Sequence, residues 1–136
     1  MKYGSLILEK KEYVYLKRIL NISGYAENFE TQKSLQRLTD EIKTAHIVDE
    51  DEVPDDVIRI NSKVRVISGN GWEKTVQVVM PMDKDLKQNK ISILTPMGAA
   101  LIGYSKNDII IWDFPGGKQQ LQIVDVDQEK HIVISI

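Results

Sequence analysis

The hydrophobic pattern of this chain changes once, close to Val53-Pro54, and this change limits the possible fold more than any other feature. Before this point, apolar residues recur at intervals of three and four, the period of an amphipathic α-helix. After it, short runs rich in β-branched residues are separated by glycine and proline, which is typical of strands and turns. The sequence therefore predicts an α+β fold in which a helical segment precedes a β domain.

Two helices are predicted in the first segment. The apolar positions of the first are Tyr13, Leu16, Ile19 and Leu20. The apolar positions of the second are Leu35, Leu38, Ile42 and Ala45. Ser23-Gly24 separates them, because glycine accepts the positive φ angle at which many helices end. Two short helices joined by a short loop predict an antiparallel helical hairpin, which is a short coiled coil.

The acidic stretch before Pro54 is predicted to be a linker. A residue that precedes proline is disfavoured in a helix, and the four consecutive acids 49–52 have no pattern that faces a core. We therefore place a domain boundary here. Residues 1–52 form the N-terminal hairpin with its acidic linker, and residues 53–136 form the C-terminal domain.

The second segment predicts a mostly antiparallel β domain with one short helix. The predicted strands are 57–60, 63–67, 74–80, 91–94, 109–112, 121–126 and 131–136. Gly69-Asn70-Gly71 and Pro115-Gly116-Gly117 are tight-turn signals between strands. The Ala-rich residues 97–102 are long enough for a short helix, and Gly103 ends it.

Composition argues against several classes of function. The formal net charge is -2 and no segment is strongly basic, so strong direct binding to nucleic acid is not expected. The chain has no cysteine, which excludes disulfides and thiolate zinc ligands. No apolar run approaches the roughly 20 residues that span a bilayer. We expect a soluble, cytoplasmic protein that does not associate with membranes.

Signatures of catalysis are missing from the sequence. His46 and His131 lie far apart, without acidic residues at ligand spacing, and neither phosphate-loop fingerprint is present. The acids 49–52 lack the alternation and the glycine of a calcium loop, so a solvated linker is preferred to a metal site. We expect no catalytic residue, no metal site and no cofactor.

Several segments of the second part resemble one protein family. These segments are 53–64, Ser92 to Gly103, Asp108 to Trp112, the turn 115–117 and Leu121 to Val126. In order and spacing they are similar to the C-terminal domain of the GreA/GreB transcription factors, with Rnk as the nearest member. The resemblance implies a C-terminal domain of FKBP-like fold and an N-terminal antiparallel coiled coil. It also implies that the protein docks at the secondary channel of RNA polymerase and is not itself an enzyme.

The resemblance also implies that the loop between the two helices is functional. The candidate residues of this tip are Tyr25, Glu27, Phe29 and Glu30. The cleavage factors carry Gly-Asp-Leu-Lys-Glu-Asn at their tip, and residues 23–28 keep the Glu-Asn but lose the Asp. Glu27 is thus the position that could contact a polymerase-held magnesium. From position alone, the two acids could instead complement a helix dipole, and the two aromatic residues could pack on Ile22.

The C-terminal domain supplies the second candidate surface. The candidate polymerase-binding residues are Pro96, Met97, Gly98, Tyr104, Lys106, Asn107, Pro115, Gly116 and Gly117. Ala99 and Ala100 are expected to pack a short helix closely on a sheet, whereas Met97, Tyr104, Lys106 and Asn107 are expected to be exposed.

The function that this sequence favours is a monomeric, Rnk-like polymerase regulator that does not stimulate transcript cleavage. The hairpin is shorter than that of the cleavage factors, and its tip has lost one acid. Three alternatives stay open: an active cleavage factor that uses Glu27 and Glu30, a peptidyl-prolyl isomerase inherited through the fold, and an adaptor for another protein.

Overall fold

The computed structural model describes residues 1–22, 29–114 and 117–128, and the side chains of 1–22, 31–112 and 117–128. The strands and helices follow in this order: β1 (Ile7–Glu9), α1 (Lys10–Ile22), α2 (Phe29–Ile42), β2 (His46–Val48), β3 (Lys63–Ser68), β4 (Glu73–Val79), β5 (Lys90–Ser92), α3 (Pro96–Leu101), β6 (Ile109–Phe114) and β7 (Gly117–Asp127). The fold class is therefore α+β, as the sequence predicts. None of the described helices combines the length and the apolar character that crossing a membrane requires.

A small parallel sheet lies beside the two long helices. β1 pairs with β2, with Leu8 opposite Ile47, so the strand before α1 meets the strand after α2. The predicted helical segment ends at Ile42, and residues 46–48 are a strand instead of a helical continuation through Ala45. Three-residue strands are too short to produce a recognisable alternation, which is why the sequence pattern did not indicate them.

The main sheet has five strands in the order β5-β4-β3-β7-β6. Its pairs are antiparallel except for β4 and β5, which run parallel with Val78 opposite Ile91. The sheet is therefore mixed, and the expectation of an antiparallel domain is wrong at this edge. Two 3₁₀ turns, Pro81–Asp83 and Leu86–Gln88, lie in the connection that returns the chain for a parallel strand. The strand predicted at 131–136 lies outside the described residues.

Residues 57–60 do not form the predicted strand. Val57 makes an isolated bridge to Ser105. Arg59 and Ser62 then close a turn, in which the Ser62 N–H donates to the Arg59 carbonyl and the Arg59 N–H donates to Ser62 Oγ. Asn61 then adopts a positive φ of 77°. Val57 and Ile58 are fully buried, so this apolar run belongs to the core without belonging to a sheet.

One hydrophobic core joins the helices to the sheet. Leu16 and Leu20 of α1 and Leu38 of α2 belong to the same cluster of buried residues as the strand and α3 side chains. Ala99 and Ala100 of α3 have no exposed surface, which confirms that these small residues allow close packing. The elements that present any functional surface are thus fixed to one another through a shared core.

Candidate functional site

The start of α1 is attached to the second half of the chain by a partly buried ion-pair cluster. The Arg59 guanidinium donates to Glu12 Oε2 at 2.6 and 2.8 Å and to the two carboxylate oxygens of Glu50 at 2.9 and 2.6 Å. The second Glu12 oxygen accepts from the Ile60 N–H at 2.9 Å. Glu9, which is also buried, accepts the N–H groups of Lys11 and Glu12 and satisfies the first turn of α1. The orientation of α1 is therefore set by charge-assisted hydrogen bonds.

Burial raises the pKa of the Glu12 carboxyl, and the neighbouring Arg59 guanidinium and Ile60 N–H offset this only in part. Hydrogen bonding to Glu50 raises the pKa of Arg59, and the charge of Glu12 contributes in the same direction. Arg59 thus remains a permanent cation between two carboxylates, and it compensates the buried charge of Glu12.

The N-terminal residues also contact the second half of the chain. The Lys2 backbone N–H donates to the buried Asp108 at 2.7 Å, and Asp108 in turn accepts from the Ser105 N–H at 2.9 Å. The side chains of Lys2 and Tyr3 both bond Asp56. The chain before β1 is therefore held against the turn that precedes β6.

Helix α2 is held on the sheet by an aromatic and polar contact around Trp112. The indole Nε1–H donates to Ser34 Oγ at 2.9 Å, and both residues are buried. The Arg37 guanidinium lies 4.0 Å from the centre of the Trp112 ring, and its Nη1 donates to the Ile111 carbonyl at 2.6 Å. A guanidinium over an indole face is a favourable cation–π geometry. These contacts set the position of α2 relative to β6.

A second polar contact joins α2 to the residues that follow α3. The Tyr104 hydroxyl donates to Glu41, whose other carboxylate oxygen is buried and lies 4.0 Å from Arg37 Nε. Burial raises the pKa of Tyr104, and the hydrogen bond to Glu41 raises it further. Tyr104 is only 5% exposed, so the expectation that it lies on the surface is wrong. Its role in this structure is to connect α2 to the globular part.

Most of the predicted tip lies outside the described part of the structure. Tyr25 and Glu27 belong to the segment between α1 and α2 that is not described. Phe29 and Glu30 are the first residues of α2, but their side chains are not described. The functional role of the tip stays a prediction.

The candidate contact residues at α3 divide into half-buried and buried groups. Pro96 and Met97 are half-buried, and Met97 packs against the core. Gly98 is buried and faces backbone, because a Cβ atom at this position would lie 2.9 Å from the Ile93 Cα. Thr95 caps α3 by accepting the Gly98 N–H at 3.1 Å. Gly98 is therefore required by packing, and it presents no side chain or free surface to a partner.

The remaining candidates lie at two separate places. Lys106 and Asn107 are exposed in the turn before β6, and the Asn107 N–H donates to the Ile123 carbonyl at 2.7 Å. Gly117 is exposed at the start of β7, six residues before Ile123, which corresponds to about 20 Å along a strand. Pro115 and Gly116 lie outside the described residues. The predicted contact residues therefore do not converge on one compact patch.

The acidic stretch forms a 3₁₀ turn, Glu50–Glu52, and Asp49 is its N-cap. The Asp49 N–H donates to the Glu52 carboxylate at 3.1 Å, and Lys10 Nζ lies 2.6 Å from Asp49 Oδ1. Hydrogen bonding and charge from Lys10 hold the pKa of Asp49 below its usual range. The carboxylates of Asp49, Asp51 and Glu52 are close together and exposed. Hydrogen bonds and the pair with Lys10 account for this arrangement.

Sequence reasoning did not identify the anchoring residues of α1 and α2. Ser34 lies one turn before Leu38 on the buried face of α2, and Arg37 and Glu41 have i,i+4 spacing, so local signals for both existed. Neither signal predicts which residue the side chain contacts, since that residue can lie far away in sequence; Ser34 and Trp112 are 78 residues apart.

The fold and these contacts define a class of protein. It is a small α+β protein in which two consecutive helices are fixed on a mixed sheet. Within the described ranges, the polar clusters consist of ion pairs, caps and buried hydrogen bonds. None of them pairs a nucleophile with a base.

Comparison with known proteins identifies the family. Residues 50–128 match the family model of "Transcription elongation factor, GreA/GreB, C-term". A transcription elongation factor GreA of Bartonella henselae is 29% identical over 114 residues, covering 78% of this chain and 73% of the relative. A transcription elongation factor GreB of Neisseria meningitidis is 29% identical over 124 residues, covering 90% and 71%. The chain belongs to the GreA/GreB family of transcription elongation factors.

A solved structure supports the same conclusion. The transcription elongation factor GreA/GreB from Nitrosomonas europaea superposes with a TM-score of 0.72 at 30% sequence identity, and the match covers 91% of this chain and 98% of that one. The similarity thus extends over the helices as well as the C-terminal domain.

Proposed function

We propose that this protein is a transcription regulator that binds RNA polymerase at the secondary channel, resembles Rnk, and does not stimulate transcript cleavage. Family membership supports an action in transcription elongation. The chemistry of cleavage in this family belongs to the polymerase, in keeping with two-metal phosphoryl transfer. On this proposal the protein acts as a cytoplasmic monomer, its C-terminal domain has the FKBP-like fold of the family, and it needs no cofactor of its own.

The length of the helices is the observation that best supports this proposal. α1 has 13 residues and α2 has 14, so each helix is about 20 Å long at 1.5 Å per residue. In addition, the hydrogen bonds from Trp112 to Ser34 and from Tyr104 to Glu41 hold α2 against β6 and against the residues that follow α3. A short and fixed helix pair can occupy a channel entrance, but it projects only a short distance beyond the globular part.

The composition of the loop supports the same proposal. Residues 23–28 keep Glu27-Asn28 of the cleavage-factor tip and lack its aspartate. A single carboxylate supplies less negative charge to a second magnesium ion than a pair does.

A competition assay on backtracked elongation complexes tests this proposal. RNA cleavage is followed with this protein alone, with a GreA factor alone, and with both. We expect no stimulation by this protein alone, and a progressive loss of GreA-stimulated cleavage as its concentration rises. Lys74→Glu, an exposed substitution on β4 away from the candidate contact residues in the sequence, serves as a surface-charge control.

A second candidate function is an active cleavage factor, and the retained Glu27 favours it. If this protein alone stimulates cleavage and Glu27→Ala abolishes that activity, the non-cleaving proposal is wrong. If it neither stimulates nor competes and does not bind polymerase, then docking at the channel is wrong as well.

A further inference from the structure

A groove lies between α1 and α2, open to solvent along both helices. Its volume is about 840 Å³, and both helices line it. This volume is comparable to that of small-molecule binding pockets, roughly 300–1,000 Å³. Its base is formed by buried apolar residues, Leu20 from α1 and Leu35 and Ile42 from α2.

The rim of the groove is cationic. Lys17, Arg18 and Lys43 line it, and none of its described lining residues is acidic, although the whole chain has a formal charge of -2. Lys43 has a carboxylate partner outside the lining, Asp40 at 3.4 Å. Lys17 lies over the Tyr13 ring at 5.3 Å, and no carboxylate of the described residues forms an ion pair with Lys17 or Arg18. The α1 side therefore carries positive charge that the described protein does not neutralise.

We propose that this groove binds an acidic amphipathic helix of a partner protein. The α2 lining extends from Gln32 to Ile42, about 15 Å along the helix axis, which matches nearly three turns of a bound helix. An apolar stripe on that helix would lie over Leu20, Leu35 and Ile42, and flanking carboxylates would meet Lys17 and Arg18. Neutralising unpaired rim charges favours an acidic partner over a basic one.

A protein helix fits this groove better than a nucleic acid does. Binding of single strands depends on aromatic platforms for the bases, and Tyr13 is the one aromatic residue of the described lining. Its ring is already covered by Lys17. An apolar base of leucine and isoleucine stabilises apolar side chains, whereas phosphates gain nothing from it. This inference goes beyond the proposed docking on polymerase and does not depend on it.

Fluorescence anisotropy with the full chain tests the inference. The probe is a labelled synthetic peptide of about 14 residues, with leucines at i, i+3, i+4 and i+7 and glutamates on the flanks. The matched probe replaces every glutamate by lysine. We expect the glutamate peptide to bind at least about tenfold more tightly than the lysine peptide, and its binding to weaken as salt rises.

Two variants make the test specific to the groove. Lys17→Glu combined with Arg18→Glu is expected to weaken binding of the glutamate peptide about tenfold or more, with the melting temperature retained because both side chains are exposed. Lys118→Glu, a charge reversal of an exposed residue on β7, is expected to leave binding unchanged.

Four results would overturn the inference. These are equal binding of both peptides, no binding of either at millimolar concentration, complete displacement of the glutamate peptide by single-stranded RNA, and a protein dimer in sedimentation that the double variant abolishes. The third result would assign the groove to nucleic acid, and the fourth would assign it to a second copy of this chain.

Discussion

Replacing Gly98 by alanine separates a packing role from a contact role at the start of α3. A Cβ atom at this position would lie 2.9 Å from the Ile93 Cα, 3.0 Å from the Ser92 carbonyl carbon, and closer still to the Ser92 carbonyl oxygen. All three are backbone atoms, so no side chain can rotate away. Since carbon atoms pack at about 3.5–4.0 Å, either α3 or the end of β5 must shift by roughly half an ångström or more.

The cost of that shift can be estimated from the contacts it disturbs. Overpacking of a tight core costs about 1–3 kcal/mol. The Ser92 carbonyl also accepts the Thr95 N–H at 3.0 Å and the Thr95 hydroxyl at 2.7 Å, and weakening both bonds adds about 1–2 kcal/mol. Alanine regains about 1 kcal/mol of helix propensity. We therefore expect Gly98→Ala to reduce the free energy of unfolding by about 1–4 kcal/mol.

Urea unfolding followed by circular dichroism measures this loss. Gly69→Ala is the matched control, because a Cβ atom there meets its nearest neighbour at 3.6 Å, an ordinary contact. We expect the control to change stability by less than about 1 kcal/mol. Equal stability of Gly98→Ala and wild type would refute the close-packing argument. A loss of polymerase binding with stability unchanged would instead make Gly98 a contact residue.

Three further substitutions test the contacts that hold the helices. Arg59→Ala is expected to cost about 2–3 kcal/mol because it leaves the partly buried Glu12 carboxylate without its cation. Arg65→Ala, which breaks an exposed pair, costs less than about 1 kcal/mol in the same urea assay. Ser34→Ala leaves the Trp112 indole N–H without its acceptor, and thermal unfolding is expected to show a loss of about 1–3 kcal/mol. The free energy of unfolding of the wild type falls above about pH 10, because tyrosine ionises there in the unfolded chain while the raised pKa keeps Tyr104 protonated in the folded protein. Tyr104→Phe is expected to reduce this pH dependence in urea titrations at about pH 8–11. An unchanged pH dependence would contradict the raised pKa of Tyr104.

The pattern of neighbouring residues in the sequence was sufficient to predict much of the secondary structure. The three-and-four spacing of Leu16, Leu20, Leu35 and Leu38 predicted α1 and α2, because residues at that spacing share one helix face whatever they pack against. The turn at residues 69–71 was equally local. The family resemblance rested on a string of segments along one stretch of chain, and the match over residues 50–128 confirms it.

The errors concern residues whose conformation depends on distant partners. Residues 57–60 have the composition of a strand, but Val57 makes an isolated bridge to Ser105 and the Ile58 N–H donates to the Tyr104 carbonyl, so the run lies in the core outside any sheet. Tyr104 was expected on the surface, yet Glu41, 63 residues away in sequence, accepts its hydroxyl within the packed structure. Burial of a polar residue is decided by whether a partner reaches it, and no local pattern contains that information.

By itself, the sequence determined that two helices and a short third one form, that a tight turn falls at residues 69–71, and which family the chain belongs to, because periodicity, glycine positions and motif order are properties of neighbouring residues. Only the tertiary structure decided that β5 joins the sheet in parallel, that Gly98 must lack a side chain, and that Arg37 lies over Trp112. The physical reason is that these three features are contacts between separate segments, which the periodicity within one segment does not encode. Their geometry exists only once the shared core has brought those segments together.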